Sequence, residues 1–316
     1  MSWIELTLNT TSEAVDWVCT LLAGCEYTSD VTVNKSIHLD HSASHNNWIH
    51  TINFYLPNDI QASTRITEIE DLLSPLYRTR LTSTVEAYIV PKKSHQLHTS
   101  NEPIKIGEKF VVLSPNCSYL PKSDEIIIEL KTSLAFGSGL HPATVLAIKL
   151  LERYLIKDMN VLDLGCGSGI LSVAAAKLGA NVLAVDNDII AVKSTQDAVT
   201  RNAVTHQVEV MQASLGRGSK MGNWMGGNNI GKVTNILPNN SFDLIVANIL
   251  GRIHTTLAPD YQQALSSKNT YSGILITSGY DQDYEVSVIK AFQAEGFQVI
   301  DCQRCNEWVA LAHRLV

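Results

Sequence analysis

Apolar and polar residues alternate along the amino-terminal part of the chain, and the period of the alternation changes from segment to segment. A period of two predicts strands in "SWIELTLN", "CEYTSDVTV", "WIHTINFYL" and "STVEAYIV". A period near 3.6 predicts one helix over 10–24 and a second over 59–73. The resulting order, strand-helix-strand-strand-helix-strand, is typical of a ferredoxin-like α+β fold.

From about residue 121 the rhythm changes to short apolar runs separated by helical stretches. Seven runs have strand character, and they lie at 160–164, 181–186, 207–211, 242–247, 273–278, 297–302 and 307–313. This alternation predicts a mostly parallel sheet covered by helices on both faces. The last two runs are separated by "QRCN", which is too short for a parallel crossover, so they should pair antiparallel.

Two stretches interrupt these rhythms. Residues 91–120 are polar and contain several prolines, which predicts a linker with some local structure. Residues 215–240 are rich in Gly and Asn and predict an inserted mobile loop. The expected organisation is a ferredoxin-like domain over 1–90, a linker over 91–120 and an α/β domain over 121–316.

Composition narrows the class of protein. A hydrophobic content of 45% and a charged content of 17% are those of an ordinary globular protein, and a net charge of −7 argues against binding nucleic acid mainly through its phosphates. No apolar run reaches the length of a membrane span, and "MSWIELTLNT" lacks the regions of a signal peptide. Six scattered cysteines suit a reducing compartment. We therefore expect a cytoplasmic protein without direct nucleic-acid or membrane contact. Its expected oligomeric state is a monomer.

Three glycines follow the first strand of the α/β region, in "VLDLGCGSGI". Glycine loses the most backbone entropy on folding, so either a tight turn or a closely approaching ligand must account for Gly165, Gly167 and Gly169. The turn follows the carboxyl end of a strand, where open α/β sheets bind ligands. A dinucleotide fingerprint would need glycine where Ile170 stands. The spacing, with Asp163 two residues ahead, fits a nucleoside with an amino-acid tail better.

Asp186 ends the next strand in "VLAVD", near the offset at which a carboxylate usually binds ribose hydroxyls. The alternative, a strand–helix turn that holds no ligand, is weakened by this second feature. Together "VLDLGCGSG" and "VLAVD" resemble the class I S-adenosylmethionine-dependent methyltransferases. "LAFGSGLHPAT", "DLIVANIL" and both ends of the chain resemble one family in particular, which methylates the eleventh protein of the large ribosomal subunit.

The resemblance implies a Rossmann-like, seven-stranded methyltransferase sheet after a smaller ferredoxin-like substrate-recognition domain. It implies an S-adenosyl-L-methionine-dependent protein N-methyltransferase, acting on lysine side-chain or N-terminal amines of a large-subunit ribosomal protein. The residues expected to hold the cofactor are Phe136, Thr144, Asp163, Gly165, Gly167, Gly169, Asp186 and Asn248.

Methyl transfer to an amine depends more on the orientation of the amine than on a catalytic base. Deprotonating a lysine near pH 7 costs about 4–5 kcal/mol, and a nearby sulfonium charge together with a dry pocket favours the neutral amine. Asn248, at the end of its strand, can accept an N–H bond without adding charge; its alternative role is to cap the following helix. Thr144 is the second catalytic candidate, and its alternative is an ordinary helix residue.

Two other function classes remain open at this point. One is a class I methyltransferase acting on a small molecule or another macromolecule, and the other is a non-catalytic module that binds the cofactor. The glycines, Asp186 and Asn248 speak against the second class. No metal site is expected, because Cys302 and Cys305 form a lone C-x-x-C without the two further ligands that zinc needs.

Overall fold

The computed structural model describes nine stretches of the chain, 2–23, 29–35, 48–91, 103–113, 117–129, 141–220, 233–237, 239–266 and 273–316. These residues form a four-stranded, a three-stranded and an eight-stranded sheet in chain order.

The amino-terminal sheet has the strand order β2-β3-β1-β4 and is antiparallel throughout. Its strands and helices are β1 (Trp3–Thr10), α1 (Val15–Ala23), β2 (Ser29–Lys35), β3 (His50–Pro57), α2 (Ala62–Arg78) and β4 (Glu86–Val90), with a 3-10 turn at Ser12–Ala14 before α1. Alternate residues such as Leu6 and Phe54 face the two helices and are fully buried against Leu22 and Ile69. This is the ferredoxin-like arrangement that the sequence predicts.

A small sheet has two of its three strands in the segment that the sequence predicts as a linker over 91–120. It consists of β5 (Ile104–Ile106), β6 (Phe110–Leu113) and β7 (Ile126–Glu129), and β6 pairs with both others. Ile106, Phe110 and Ile128 are buried in the core of the large sheet. The predicted local structure of the linker therefore includes two strands that pack in the core, which the sequence could not identify because strands of three or four residues carry almost no periodicity.

The large sheet has the order β11-β10-β9-β8-β12-β13-β15-β14. Its strands are β8 (Asn160–Leu164), β9 (Asn181–Asp186), β10 (Val208–Leu215), β11 (Thr234–Ile236), β12 (Leu244–Asn248), β13 (Ile274–Asp281), β14 (Phe297–Cys305) and β15 (Trp308–Leu315). All neighbours are parallel except β15, which runs antiparallel to β13 and β14. The antiparallel pairing predicted for the last two strands is confirmed.

The seven-stranded count was one strand short. The extra strand, β11, lies inside the segment over 215–240 that the sequence predicts as a loop, and it pairs in parallel with the last three residues of β10. The reason is that β10 runs on to Leu215, four residues beyond its predicted end at 211, and leaves an edge on which a short strand can pair. A 3-10 turn at Gly216–Lys220 follows β10, and residues 221–232 lie outside the described part of the chain.

Helices cover both faces of the large sheet. On one face lie α3 (Pro142–Tyr154), α4 (Ile170–Lys177) and α5 (Ile189–Arg201), and on the other lie α6 (Gly251–Ala264) and α7 (Gln282–Ala294). Val246 points to the first face and Ala247 to the second, as alternation along a strand requires. None of the helices in the described residues is both long enough and apolar enough to span a membrane.

The amino-terminal part and the large sheet are in contact through α1, which packs on α5. Half-buried Trp17 contacts the apolar core of each part. The 3-10 turn before α1 also lies against β13. The substrate-recognition part expected from the sequence is therefore packed on the sheet that carries the candidate site.

Candidate functional site

The carboxyl ends of three neighbouring strands bring the sequence-predicted residues together. Leu164 of β8 pairs with Val185 of β9 on one side and with Ala247 of β12 on the other. The next residues along the three strands form one row at the edge of the sheet: Asp186, Gly165 and Asn248. Because neighbouring strands lie about 4.8 Å apart, the Asp186 and Asn248 backbones are separated by about 10 Å.

The glycine turn that follows β8 is bound to the end of β9. The backbone N–H groups of Gly165 and Cys166 donate to the Val185 carbonyl over 2.8 and 3.0 Å, and that of Gly167 donates to the Asp186 carboxylate over 3.1 Å. Gly165 and Gly167 have φ angles of 77° and 52°, in the left-handed region that side chains disfavour. The turn therefore needs glycine to hold this shape and to bring its amides to the carboxylate.

Gly169 has a different reason to be glycine. It precedes α4 with a φ of 80°, and a Cβ placed on it would lie 2.9 Å from the Cα of Thr195 in α5. The absent side chain thus lets α4 and α5 approach closely. Packing between these helices is sufficient to explain this third glycine, whether or not a ligand also contacts it.

Asp186 is buried at one end of the row, with 3% of its surface exposed. Its Oδ2 accepts the Gly167 N–H, and its Oδ1 accepts the Asp188 N–H over 3.0 Å. Burial raises the pKa of Asp186 to about 7, more than these two bonds lower it, and the charges of Asp188 and Asp163 raise it further. The carboxyl group therefore titrates close to neutral pH.

Asp163 lies in β8, two residues before Gly165, and is fully buried. The Ser172 hydroxyl of α4 donates to its Oδ2, while its Oδ1 has no hydrogen-bond partner among the described residues. Burial raises the pKa of Asp163 to about 6, and the bonds from Ser172 oppose that rise. A buried acceptor without a partner is costly, so this oxygen is suited to a donor brought by a ligand.

Asn248 and Thr144 meet on the α3 face of the sheet. The Asn248 Nδ2 donates to the Thr144 Oγ1 over 3.1 Å, and Thr144, in the first turn of α3, is 8% exposed. Helix α3 starts there because the His141 Nδ1 accepts the Ala143 N–H over 3.2 Å and Pro142 occupies the first helical position. Asn248 does not cap the following helix, which begins after Leu250.

Two residues of this edge were missed by sequence reasoning. Ser278 of β13 pairs with Asn248, and its buried Oγ has no hydrogen-bond partner among the described residues. His254 is fully buried on the apolar face of α6, and its Nε2 lies 2.9 Å from the Ser278 carbonyl oxygen. A polar residue at an apolar position of a helix is the signal that could have found His254, whereas Ser278 carries no such signal.

The structure describes all but one of the residues that the sequence analysis names for the site. Phe136 lies outside the described residues. Cys302 and Cys305 are exposed on β14, and no group of three potential metal ligands occurs within the described stretches. Thr144, Asp163, Gly165, Gly167, Asp186 and Asn248 all lie at or just beneath the same sheet edge.

Comparisons with known proteins find the same family by sequence and by structure. A family model described as "Ribosomal protein L11 methyltransferase (PrmA)" matches residues 2–315. The ribosomal protein L11 methyltransferases of Chloroflexus aurantiacus and Herpetosiphon aurantiacus are similar to the chain. The first is 36% identical, covering 99% of this chain and 98% of its own length. The second is 34% identical, covering 99% of each. A crystal structure of a ribosomal protein L11 methylase from Lactobacillus delbrueckii subsp. bulgaricus superposes with a TM-score of 0.51 at 30% identity. It covers 67% of this chain and 98% of the other.

Replacing Gly169 by alanine should destabilise the fold more than the same change at Gly296. Both glycines have a φ near +80°, so the conformational strain is matched, but the nearest contact of an added Cβ is 2.9 Å at Gly169 and 3.9 Å at Gly296. We expect each variant to lose about 1 kcal/mol from strain and Gly169→Ala to lose a further 1–3 kcal/mol from overpacking. Chemical denaturation measures both losses. Equal losses would mean that packing against Thr195 does not require this glycine.

Proposed function

The chain belongs to the ribosomal protein L11 methyltransferase family, and from this premise we propose that it transfers methyl groups from S-adenosyl-L-methionine to amines of ribosomal protein L11. The observation that carries the proposal is the row formed by Asp186, Gly165 and Asn248 at the carboxyl edge of the sheet. A carboxylate for a ribose lies at one end of this row and an uncharged amide for an amine at the other. The carboxylate and the amide are thus spaced along the sheet edge, as the nucleoside and the reactive group are spaced along the proposed ligand.

The proposed cofactor residues fit this ligand chemically. Asp186 offers a carboxylate to the ribose hydroxyls, and the Asp163 Oδ1 is a buried acceptor still lacking a donor. The turn over 165–169 lets a ligand approach the backbone, and Thr144 with Asn248 would flank the opposite end. We keep Phe136 as a further proposed contact. When bound, S-adenosyl-L-methionine supplies a methyl group activated by its sulfonium charge.

Asn248 is proposed to orient the attacking amine. Its Nδ2 donates to Thr144, and its Oδ1, the acceptor of the amide group, can receive an N–H from a substrate. A carbonyl oxygen holds a neutral amine without the charge that a carboxylate would add, so it does not favour the protonated, unreactive form. Because the bond to Thr144 fixes the amide, the nitrogen lone pair of the amine can be aimed at the methyl group.

The amino-terminal part over 1–90 is proposed to recognise the protein substrate. None of the proposed cofactor residues lies there, and its outer strand β4 exposes 54% of Tyr88 and 72% of Ile89. Large exposed apolar side chains on an edge strand are suited to contact with another protein. A monomeric enzyme in the cytoplasm, without direct nucleic-acid or membrane contact, remains a prediction.

The affinity for S-adenosylhomocysteine should fall as the pH is lowered from 8 to 6. Hydrogen bonds from ribose hydroxyls need the Asp186 carboxylate, whose pKa of about 7 in the unliganded protein means that it is mostly protonated at the lower pH. Isothermal titration calorimetry should show an affinity about tenfold weaker at pH 6 than at pH 8. Asp186→Asn is the control and should bind weakly with little pH dependence; a native profile that is equally flat would contradict the assignment.

Replacing Asn248 by alanine should lower methyl transfer far more than it lowers cofactor affinity. We expect kcat with purified ribosomal protein L11 to fall about a hundredfold, because the amine loses its orientation. Mass spectrometry of L11 after incubation with enzyme and S-adenosyl-L-methionine gives the rate, the number of methyl groups and the modified residue. Asn181→Ala, an exposed asparagine at the opposite edge of the sheet, is the matched control. If the native enzyme leaves L11 unmethylated, L11 is not its substrate.

Ile89→Asp should weaken the use of intact L11 without affecting cofactor affinity. A charge on the exposed apolar strand disfavours contact with a protein partner, and kcat/KM for L11 should fall about tenfold. Ile60→Asp serves as the control, because Ile60 is an exposed isoleucine in the same part of the chain but lies before α2. Equal activity of the two variants would move the recognition surface away from β4.

A further inference from the structure

His254 is a buried polar residue on the face of the sheet opposite to the Thr144–Asn248 pair. It belongs to α6, which covers the same face of the large sheet as α7, and its side chain has no exposed surface. Burial lowers the pKa of its imidazole to about 4, although hydrogen bonding to the backbone of Ser278 and Ile249 opposes this. The ring is therefore neutral at physiological pH and carries a proton on one nitrogen.

The contacts of His254 identify which nitrogen carries the proton. Its Nε2 lies 2.9 Å from the Ser278 carbonyl oxygen, which can only accept, so Nε2 is the donor. Its Nδ1 lies 3.4 Å from the Tyr261 hydroxyl, and burial raises the pKa of that phenol, so Tyr261 donates to Nδ1. The tautomer is thus set from both sides of the ring.

The carbonyl held by His254 joins the ends of β12 and β13. It also accepts the Ile249 N–H over 3.1 Å, and Ser278 pairs directly with Asn248. One oxygen therefore receives a bond from the residue after Asn248 and a second bond from the helix that follows it. Movement of this carbonyl would be transmitted to the backbone that carries the Asn248 side chain.

The contact between the two strand ends leaves little room for adjustment. A Cβ at Gly279 would lie 2.6 Å from the Ile249 oxygen and 2.8 Å from the Asn248 Oδ1. The Oδ1 proposed to accept the amine thus lies directly against the backbone that His254 holds. A shift of a few tenths of an ångström at residues 278–279 would change the position of that oxygen.

We propose that His254 is a positioning residue for methyl transfer, which holds the Ser278 carbonyl and through it the Asn248 Oδ1 that orients the substrate amine. The inference rests on the proposed function of Asn248. Neutral His254 takes no part in proton transfer and contacts neither substrate nor cofactor; it acts through the joint between β12 and β13.

Two substitutions separate this role from ordinary core packing. His254→Leu keeps the buried volume and removes the hydrogen bond, whereas His254→Gln retains an amide N–H that can reach the same carbonyl. We expect His254→Leu to lower kcat for L11 methylation roughly tenfold, with the affinity for S-adenosylhomocysteine within about twofold of native, because only the aim of the amine changes. His254→Gln should recover most of the lost kcat.

His313→Leu is the matched control. His313 is also buried, with a pKa lowered by burial and by His254, but its Nε2 contacts the Thr277 hydroxyl and not the Ser278 carbonyl. We expect His313→Leu to keep native kcat even where its melting temperature falls as much as that of His254→Leu. Equal losses of kcat in the two leucine variants, or native kcat in His254→Leu, would overturn the proposal.

A double-mutant cycle with Asn248→Ala distinguishes failure of this inference from failure of the proposed function. The effect of His254→Leu on kcat should disappear when Asn248 is already alanine, because the positioned group is gone. An Asn248→Ala enzyme with native kcat would refute the role of Asn248, and this inference with it. A strongly impaired Asn248→Ala enzyme beside a fully active His254→Leu enzyme would refute this inference alone.

Discussion

The register of β8 between β9 and β12 is the constraint on which the candidate site depends. It places the glycine turn between a carboxylate on one neighbour and an amide on the other. Parallel strands end at the same edge of a sheet, so a slip of either neighbour by one residue would turn Asp186 or Asn248 to the opposite face. The buried apolar residues of all three strands, packed between α3, α4, α5 on one face and α6, α7 on the other, hold the register against such a slip.

The same packing makes the site electrostatically unusual. Asp163 and Asp186 are removed from water with limited compensation, which raises both pKa values toward neutrality. His254 and His313 are displaced in the opposite sense by the same cause, because burial disfavours charge of either sign. Folding therefore assembles carboxylates that are costly to keep charged and imidazoles that stay neutral.

Features encoded by neighbouring residues could be predicted from the sequence. The bounds of β8 and β9 agree with the predicted runs at 160–164 and 181–186, since a short apolar run between turn residues is a local signal. The glycine spacing and the carboxylate at the end of β9 identified one end of the candidate site for the same reason. Even there the pattern could not show that Gly169 serves helix packing, because Thr195, which it approaches, lies in a different helix.

Tertiary structure decided the features that depend on residues distant in the chain. The bond from Asn248 to Thr144 joins positions 104 residues apart, and His254 reaches Ser278 across 24 residues. The strands β5, β6 and β11 are too short to carry a periodic signal and form because a partner edge is available beside them. The sequence thus determined the elements and the chemical types of the candidate residues. Which side chains meet was decided by strand register and helix packing, because hydrogen bonds between distant residues exist only once the sheet has assembled.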